Sequence, residues 1–464
     1  MMRAGIRGGL RKLARLTTVL VAVAALGACD MDEILKVELP GQVLETDLND
    51  PEVADLLVRS AISALECGWS MYSGGASHHS DEYMNASGNA WWRNMGWRQL
   101  EANDQRLSTG ECNTAYSMYA PLHTARFQAS DVYRRLSTPE FAEVPDLQSH
   151  LATLRALGGY ALVGLGEGFC EMTVPDEEGV PGPLLTPTQT LQRAETRFGE
   201  AITLAQASGN DDALNMALVG RARVRLVLED WPGVIADASQ VPDGYLKVAT
   251  RGGESSRRYN FNYNSVNSEV QNAHGTITST FHDLTIDPVD GRPTQAQVGG
   301  VPDPRVNVFN LGLFGHNEVT PLWHHDKYTS RSSPMPIASY KEAQLFLAEA
   351  YARTDEGQLA LDIINDRRDE LGLPEVTYVD VNDEDEMMAL VIEERRRDLF
   401  VEGGHRMNDM LRFEGTIHEI PWLGEPGSIH PDGVDSVGGA YGDVTCFPLP
   451  TVERIGNPNI SGTG

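Results

Sequence analysis

Apolar residues recur at helical spacing over much of the chain. Val53, Leu56, Leu57, Ala61 and Ala64 share one face of a predicted helix over 51–66. The segment 67–98 then changes character: Gly, Ser, His, Asn and Trp replace the periodic pattern, and a loop-rich stretch is expected. A helical pattern resumes over 115–136, with aromatics at Tyr116, Tyr119, Phe127 and Tyr133. Helices are predicted over 146–168, 187–208 and 211–229, the second opening Thr186-Pro187-Thr188, where proline suits a first turn. A short one follows at 233–238. From 245 to 335 Asn, Ser, Gly, Thr and Pro dominate, with short β-prone runs at 276–281 and 306–309, so loops and strands are expected. Helices return over 337–353, where Tyr340, Ala343, Leu347, Ala350 and Tyr351 form one stripe, then over 356–371 and 384–401. The remainder is irregular, with strand-like residues near 444–449.

This order predicts a mainly α fold. Helix pairs of this length, with small residues where they would touch, resemble tetratricopeptide-type hairpins, interrupted by a loop- and short-strand-rich insert at 245–335. The period is too irregular for a regular array.

The N-terminal pattern is different again. Arg3, Arg7, Arg11, Lys12 and Arg15 precede an apolar run over 16–28, which is shorter than the ~20 residues a membrane-spanning helix needs. Basic residues, a short apolar run and small residues before a cut define a secretory signal. Leu26-Gly27-Ala28-Cys29 closes it and resembles a bacterial lipobox, in which the cysteine thiol is acylated and becomes the mature N-terminus. The alternative is an ordinary secretory signal with a chance cysteine. Residues 1–28 are thus expected to be a lipoprotein signal, 29–45 a lipid-anchored tether and 46–464 one domain.

Charge narrows the partners. The 464 residues carry 37 basic and 66 acidic side chains, a net −29. Without the five basic residues of the signal, 32 stand against 66, a net −34. Such acidity disfavours nucleic acid and direct docking on anionic headgroups, so membrane attachment is expected through the lipid alone. The 41% apolar residues suffice for a large core. Beyond Cys29, the cysteines are Cys67, Cys112, Cys170 and Cys446. In an oxidising compartment these form two disulfides or remain buried thiols. Of three possible pairings, Cys67–Cys112 with Cys170–Cys446 is favoured, because the second would tie the C-terminal segment to the helices.

Residues 387–412 read M-M-A-L-V-I-E-E-R-R-R-D-L-F-V-E-G-G-H-R-M-N-D-M-L-R. Met388, Val391, Ile392 and Leu399 line one helix face with Arg395 among them. A charge in an apolar stripe needs a partner, and Glu402 and Asp409 are the candidates. Glu394-Arg395, Leu399-Phe400, Glu402-Gly403, Arg406, Asp409 and Arg412 resemble the C-terminal signature of the SusD/RagB family of nutrient-uptake outer-membrane lipoproteins. Gly404 and Met410 depart from it. Asp303-Pro304-Arg305, the A-E-A helix at 340–353, the I-N-x-x-R stretch at 362–373, the Leu-x-x-x-Asp-Trp turn ending at Trp231, and Phe447-Pro448-Leu449-Pro450 with Glu453 and Asn457-Pro458 resemble its other segments, in order. The resemblance implies a SusD-like α/α superhelix, a nutrient ligand such as an oligosaccharide, and a TonB-dependent, SusC-like transporter over which the protein acts as a lid. Asp30, Asp32 and Glu33 resemble surface-export signals of some such lipoproteins, although acids after the cysteine mean inner-membrane retention in other bacteria. The expected location is the cell surface, on the outer membrane.

Four of the seven tryptophans lie within 69–98. Sugar rings stack on aromatics while their hydroxyls need amides, carboxylates and guanidinium groups. Tyr72, Asp81, Tyr83, Trp91, Trp92, Asn94, Trp97 and Arg98 supply that mixture and are the candidate ligand residues. The alternative use of these aromatics is to anchor the segment to the helices. Trp91 and Trp92 are adjacent, so they should point apart. His78-His79 and His324-His325 lack the spacing of a metal site. Asp287-Pro288-Val289-Asp290-Gly291 lacks the later glutamate of a calcium loop. No catalytic motif or cofactor-binding loop is present. The expectation is a binding protein that is not an enzyme, with no cofactor or metal. A helical-repeat envelope scaffold is the alternative, and an extracellular hydrolase the third reading.

Overall fold

The structure is a computed structural model and describes residues 45–112, 118–176, 179–268 and 273–460. The lipobox cysteine Cys29, the signal and most of the tether lie outside these. Two units are distinguished, Met1–Asn49 and Asp50–Gly464. The described part of the first is a 3-10 turn, Glu45–Asn49.

The second unit opens at Asp50, whose side chain accepts the Glu52 amide and starts a 3-10 turn at Pro51. Helix α1 follows over Ala54–His79. This corrects the sequence expectation, because 67–79 is helix rather than loop. From Gly68 to His79 every residue is buried. A helix enclosed all round has no polar face to keep, so the period that marks a surface helix disappears. Its small residues permit close approach: a Cβ at Gly68 would lie 3.1 Å from the Pro121 carbonyl oxygen.

Strand β1 (Tyr83–Asn85), α2 (Ala90–Gly96) and a short α3 (Gln105–Thr109) lead to α4 (Tyr119–Leu136) and α5 (Leu147–Gly168). A small hairpin, β2 (Met172–Thr173) and β3 (Leu184–Leu185), precedes α6 (Pro187–Ser208). Thr186 and Gln189 close a capping box at the start of α6, and Gly209 ends it in the left-handed conformation. Then come α7 (Asp211–Val227), capped by Asn210, and α8 (Trp231–Ala238), capped by Asp230. Helix α4 packs on α1 and α5, α5 on α6, and α6 on α7, the hairpin succession expected of this pattern.

The insert holds β4 (Leu246–Ala249), β5 (Gly275–Ile277), β6 (Leu284–Ile286), β7 (Pro293–Gln295), β8 (Val301–Pro302), β9 (Val308–Phe314), β10 (Pro321–His325) and β11 (Met335–Ser339). All pairings are antiparallel: β1 with β5, β4 with β11, β9 with β10, and β6 between β7 and β8. Asp287 accepts the Val289 and Asp290 amides in the β6–β7 turn. Helices α9 (Tyr340–Arg353), α10 (Gly357–Glu370), α11 (Glu384–Asp398) and α12 (His405–Arg412) follow, with α13 (Thr451–Ile455) near the end. The strand-like stretch near 444–449 forms no strand, only a bridge between Phe447 and Phe169. Disulfides join Cys67 to Cys112 and Cys170 to Cys446, with Cα atoms 5.8 Å and 5.2 Å apart, so the second ties this terminal segment to the end of α5.

Buried ion pairs knit the insert to the helices. Arg305 forks onto Asp303 at 2.9 and 2.8 Å and reaches Glu394 at 2.7 Å. Arg395 forks onto Asp409 at 2.8 and 2.9 Å and reaches Glu349 at 2.6 Å. The expected Arg395–Glu402 pair does not form, because Glu402 instead binds Lys327 and Lys341 at 2.6 and 2.7 Å. Gly403 and Gly404 both take positive φ, and a Cβ on Gly404 would meet the Tyr72 hydroxyl at 2.8 Å. Both the turn and the close approach therefore require glycine there.

Candidate functional site

The eight candidate ligand residues separate into an enclosed set and a surface set. Tyr72 is buried in α1 and donates its hydroxyl to Glu167 at 3.0 Å, beside Arg223, which forks onto the same carboxylate. Tyr83 is fully buried against His78 and His325. Trp92 stacks on His274 at 4.5 Å and on Phe261 at 5.4 Å. Arg98 is buried, donates from Nε to the Leu423 carbonyl at 3.2 Å and lies over Trp422. These four serve the interior. Their partners come from distant segments, so local sequence could not distinguish them from ligand contacts.

Asp81 also has an internal partner, since Arg406 forks onto it at 2.6 Å through both nitrogens. The pair borders a cavity of about 260 Å³ shared with Gln295, Arg396 and Ser428.

Three candidates remain near solvent. Asn89 caps α2 by accepting the Trp91 amide at 2.9 Å. That start places Trp91 outward and Trp92 inward: Trp91 is 47% exposed and Trp92 8%. Trp91 is the only exposed tryptophan of the seven. Asn94, three residues on, shares its helix face and is half-buried. The Arg106 guanidinium lies 4.5 Å from the centre of the Trp91 ring and is held there by Asp104. The hydrogen bond from Arg106 in turn keeps the Asp104 carboxyl below its ordinary range. One ring face thus carries a fixed cation and the ring remains half open. Trp97 is half-buried and donates its indole N–H to Asp435 at 2.7 Å, with Arg93 over its ring. Asp435 also accepts the Val437 and Gly439 amides, so Trp97 anchors the loop 435–439.

Sequence reasoning missed Arg106 and Asp435. Asp104 at a helix N-cap with Arg106 two residues on is a readable local motif, whereas Asp435 arrives from 338 residues away.

The paired histidines lie in aromatic surroundings. Burial lowers His78 and His325 to about 3 and His79 to about 4. They are neutral packing groups near pH 7. Among the described residues no group of three or more His, Cys, Asp or Glu could hold a metal ion, and no helix is long and apolar enough to cross a membrane.

Residues 316–437 match the model of the SusD family, the region containing Arg395, Glu402, Arg406 and Asp409. This segment resembles the SusD family, and the likeness of the rest of the chain is one of fold. SusD-like folds cover almost the whole of the chain. A SusD superfamily protein from Bacteroides vulgatus is 14% identical with a TM-score of 0.63, over 89% of this chain and 98% of its own. A SusD homolog from Bacteroides thetaiotaomicron is 15% identical with a TM-score of 0.63, over 90% and 98%. A SusD-like carbohydrate-binding protein from Bacteroides fragilis is 15% identical with a TM-score of 0.61, over 89% and 100%. At such identities the likeness concerns the fold, a helical tetratricopeptide-like superhelix. No curated protein matches the chain. Within the matched segment these residues are structural: Arg395 and Arg406 are spent on buried carboxylates of the scaffold.

Proposed function

We propose that this chain is a non-enzymatic receptor that binds an oligosaccharide on the Trp91 platform. The observation that supports this is the half-open Trp91 ring, backed by Arg106 and flanked by Asn94. An aromatic face takes the C–H face of a sugar, and the guanidinium and amide bond its hydroxyls. The carbohydrate-binding relative from Bacteroides fragilis is consistent with that ligand class. The protein is anchored through acylated Cys29 at the outer-membrane surface and delivers its ligand to a TonB-dependent, SusC-like transporter, which it covers as a lid. Capture and hinged closure are the whole of the mechanism; no bond is made or broken.

Affinity electrophoresis against a polysaccharide panel tests the receptor reading: retardation by at least one glycan, with no fragments released, is expected. Released product would identify a hydrolase instead. Protease shaving of intact cells tests the location, where a protected protein would exclude the lid role.

The scaffold reading has one observation in its favour. Strand β9 is exposed along its length, with Phe309, Leu311, Leu313 and Phe314 open to solvent. A scaffold predicts a co-purifying envelope protein other than a transporter and no glycan retardation.

A further inference from the structure

A cavity of about 310 Å³ opens between α4, α5 and α6, closed on one side by residues 174–176. It contains none of the residues of the Trp91 platform. Three arginines line it, Arg126 from α4 and Arg193 and Arg197 from α6, while Asp176 is the only acid in the lining among the described residues. That balance is the reverse of the whole chain, which carries a net −29.

Arg126 is 9% exposed, and its one hydrogen bond among the described residues runs from Nε to His123 Nδ1 at 3.4 Å. Arg193 donates to the Val174 carbonyl at 3.4 Å. Neither forms an ion pair within the described residues, whereas Arg197 pairs with Glu200 at 3.2 Å. Arg223, Arg305, Arg395 and Arg406, also buried, each have a carboxylate within 3 Å. Burial depresses the Arg126 pKa, Tyr119 opposes that, and Arg197 and Arg193 add to the depression. An enclosed guanidinium without an anion is costly, and two more cations beside it raise that cost. The arrangement becomes favourable when an oxyanion enters, because a guanidinium fork matches carboxylate and sulfate oxygens bidentately. Leu162 and Pro175 supply apolar wall, and the volume sits at the small end of the ~300–1,000 Å³ range of ligand sites.

We propose that this cavity is a binding site for a small oxyanion-bearing ligand, a carboxylate or sulfate group on a skeleton no larger than a monosaccharide. The site is independent of the Trp91 platform, so either can fail without the other.

Calorimetric titration of the full chain with inorganic sulfate, D-glucuronate and D-glucose, at fixed ionic strength in chloride, tests it. Saturable binding of glucuronate or sulfate, and none of glucose at this site, is expected. Arg193→Gln, a half-buried position that tolerates change, should weaken anion binding by about tenfold, the size of one charge-assisted hydrogen bond. Arg126→Gln should abolish it while leaving the ligand-free melting temperature unchanged or higher, since a repelling charge is removed. Binding of sulfate but not glucuronate would assign the site to sulfate-type anions, and the reverse to carboxylates. No saturable binding of either anion, or binding undiminished in both variants, would overturn the proposal.

Discussion

Arg395 is 1% exposed, yet three of its nitrogens are matched to carboxylate oxygens of Glu349 and Asp409. Despite the opposing effect of burial, Arg412 and Arg395 hold Glu349 down to about 2. Removing one partner leaves the other charge buried and uncompensated, so Arg395→Ala should cost about 3–5 kcal/mol. Calorimetry should show a large fall in melting temperature, while glycan affinity of the folded fraction stays unchanged. The apolar stripe around Arg395 made its need for a partner legible in sequence, and Asp409 was nameable on spacing. Glu349 was not, because it comes from another helix, 46 residues earlier. Glu342 behaves oppositely to Glu349. Burial, with Glu402 and Glu167 nearby, raises it from an ordinary 4.5 to about 8 against the pull of Arg223. Between those values the folded chain holds a proton that the unfolded chain has lost, so this group's contribution declines as pH rises from about 4.5 to about 8. Glu342→Gln removes that decline. The stability of the variant relative to the parent should therefore grow across this window in denaturant titrations, and a pH-independent difference would show that Glu342 is ionised throughout.

Elements were readable where an apolar or helix-favouring composition ran unbroken, as in α6 and in the enclosed α5, and unreadable where Gly, Ser and His filled a buried helix. Helix α6 shows its apolar period and its punctuation, Thr186, Pro187 and Gly209, in sequence and in structure. The Thr186 hydroxyl accepts the Gln189 amide at 3.2 Å, and the Gln189 side-chain Oε1 accepts the Thr186 amide at 2.9 Å. Thr186→Ala should cost about 1 kcal/mol in chemical denaturation, with no change in the cooperativity of the transition. The second half of α1 shows the converse. Its Gly, Ser and His residues read as loop, but they are small or aromatic groups fitted inside a core, where packing overrides propensity. The same misreading placed Tyr72 among the ligand residues. The adjacent pair Trp91-Trp92 was legible as a split pair, but only the Asn89 cap decides which ring faces out.

At the scale of the molecule, long-range ties decide what local patterns cannot. The Cys170–Cys446 disulfide spans 276 residues, and Arg406–Asp81 spans 325. They close the C-terminal segments over the helical body and leave α2 at the surface with Trp91 exposed. The fold class was readable because helical hairpins repeat a local pattern, and the segment that matches the SusD family model, 316–437, carries recognisable motifs. The candidate site was half readable, since chemistry selects aromatics and amides but only tertiary packing separates platform from core. In the proposed receptor, Trp91 is the contact a glycan makes. Isothermal titration of the best-retained glycan with the parent protein and Trp91→Ala tests it most directly. Roughly a tenfold or greater loss of affinity, about 1.4 kcal/mol, is expected at an unchanged melting temperature. Equal affinity in both proteins would contradict it.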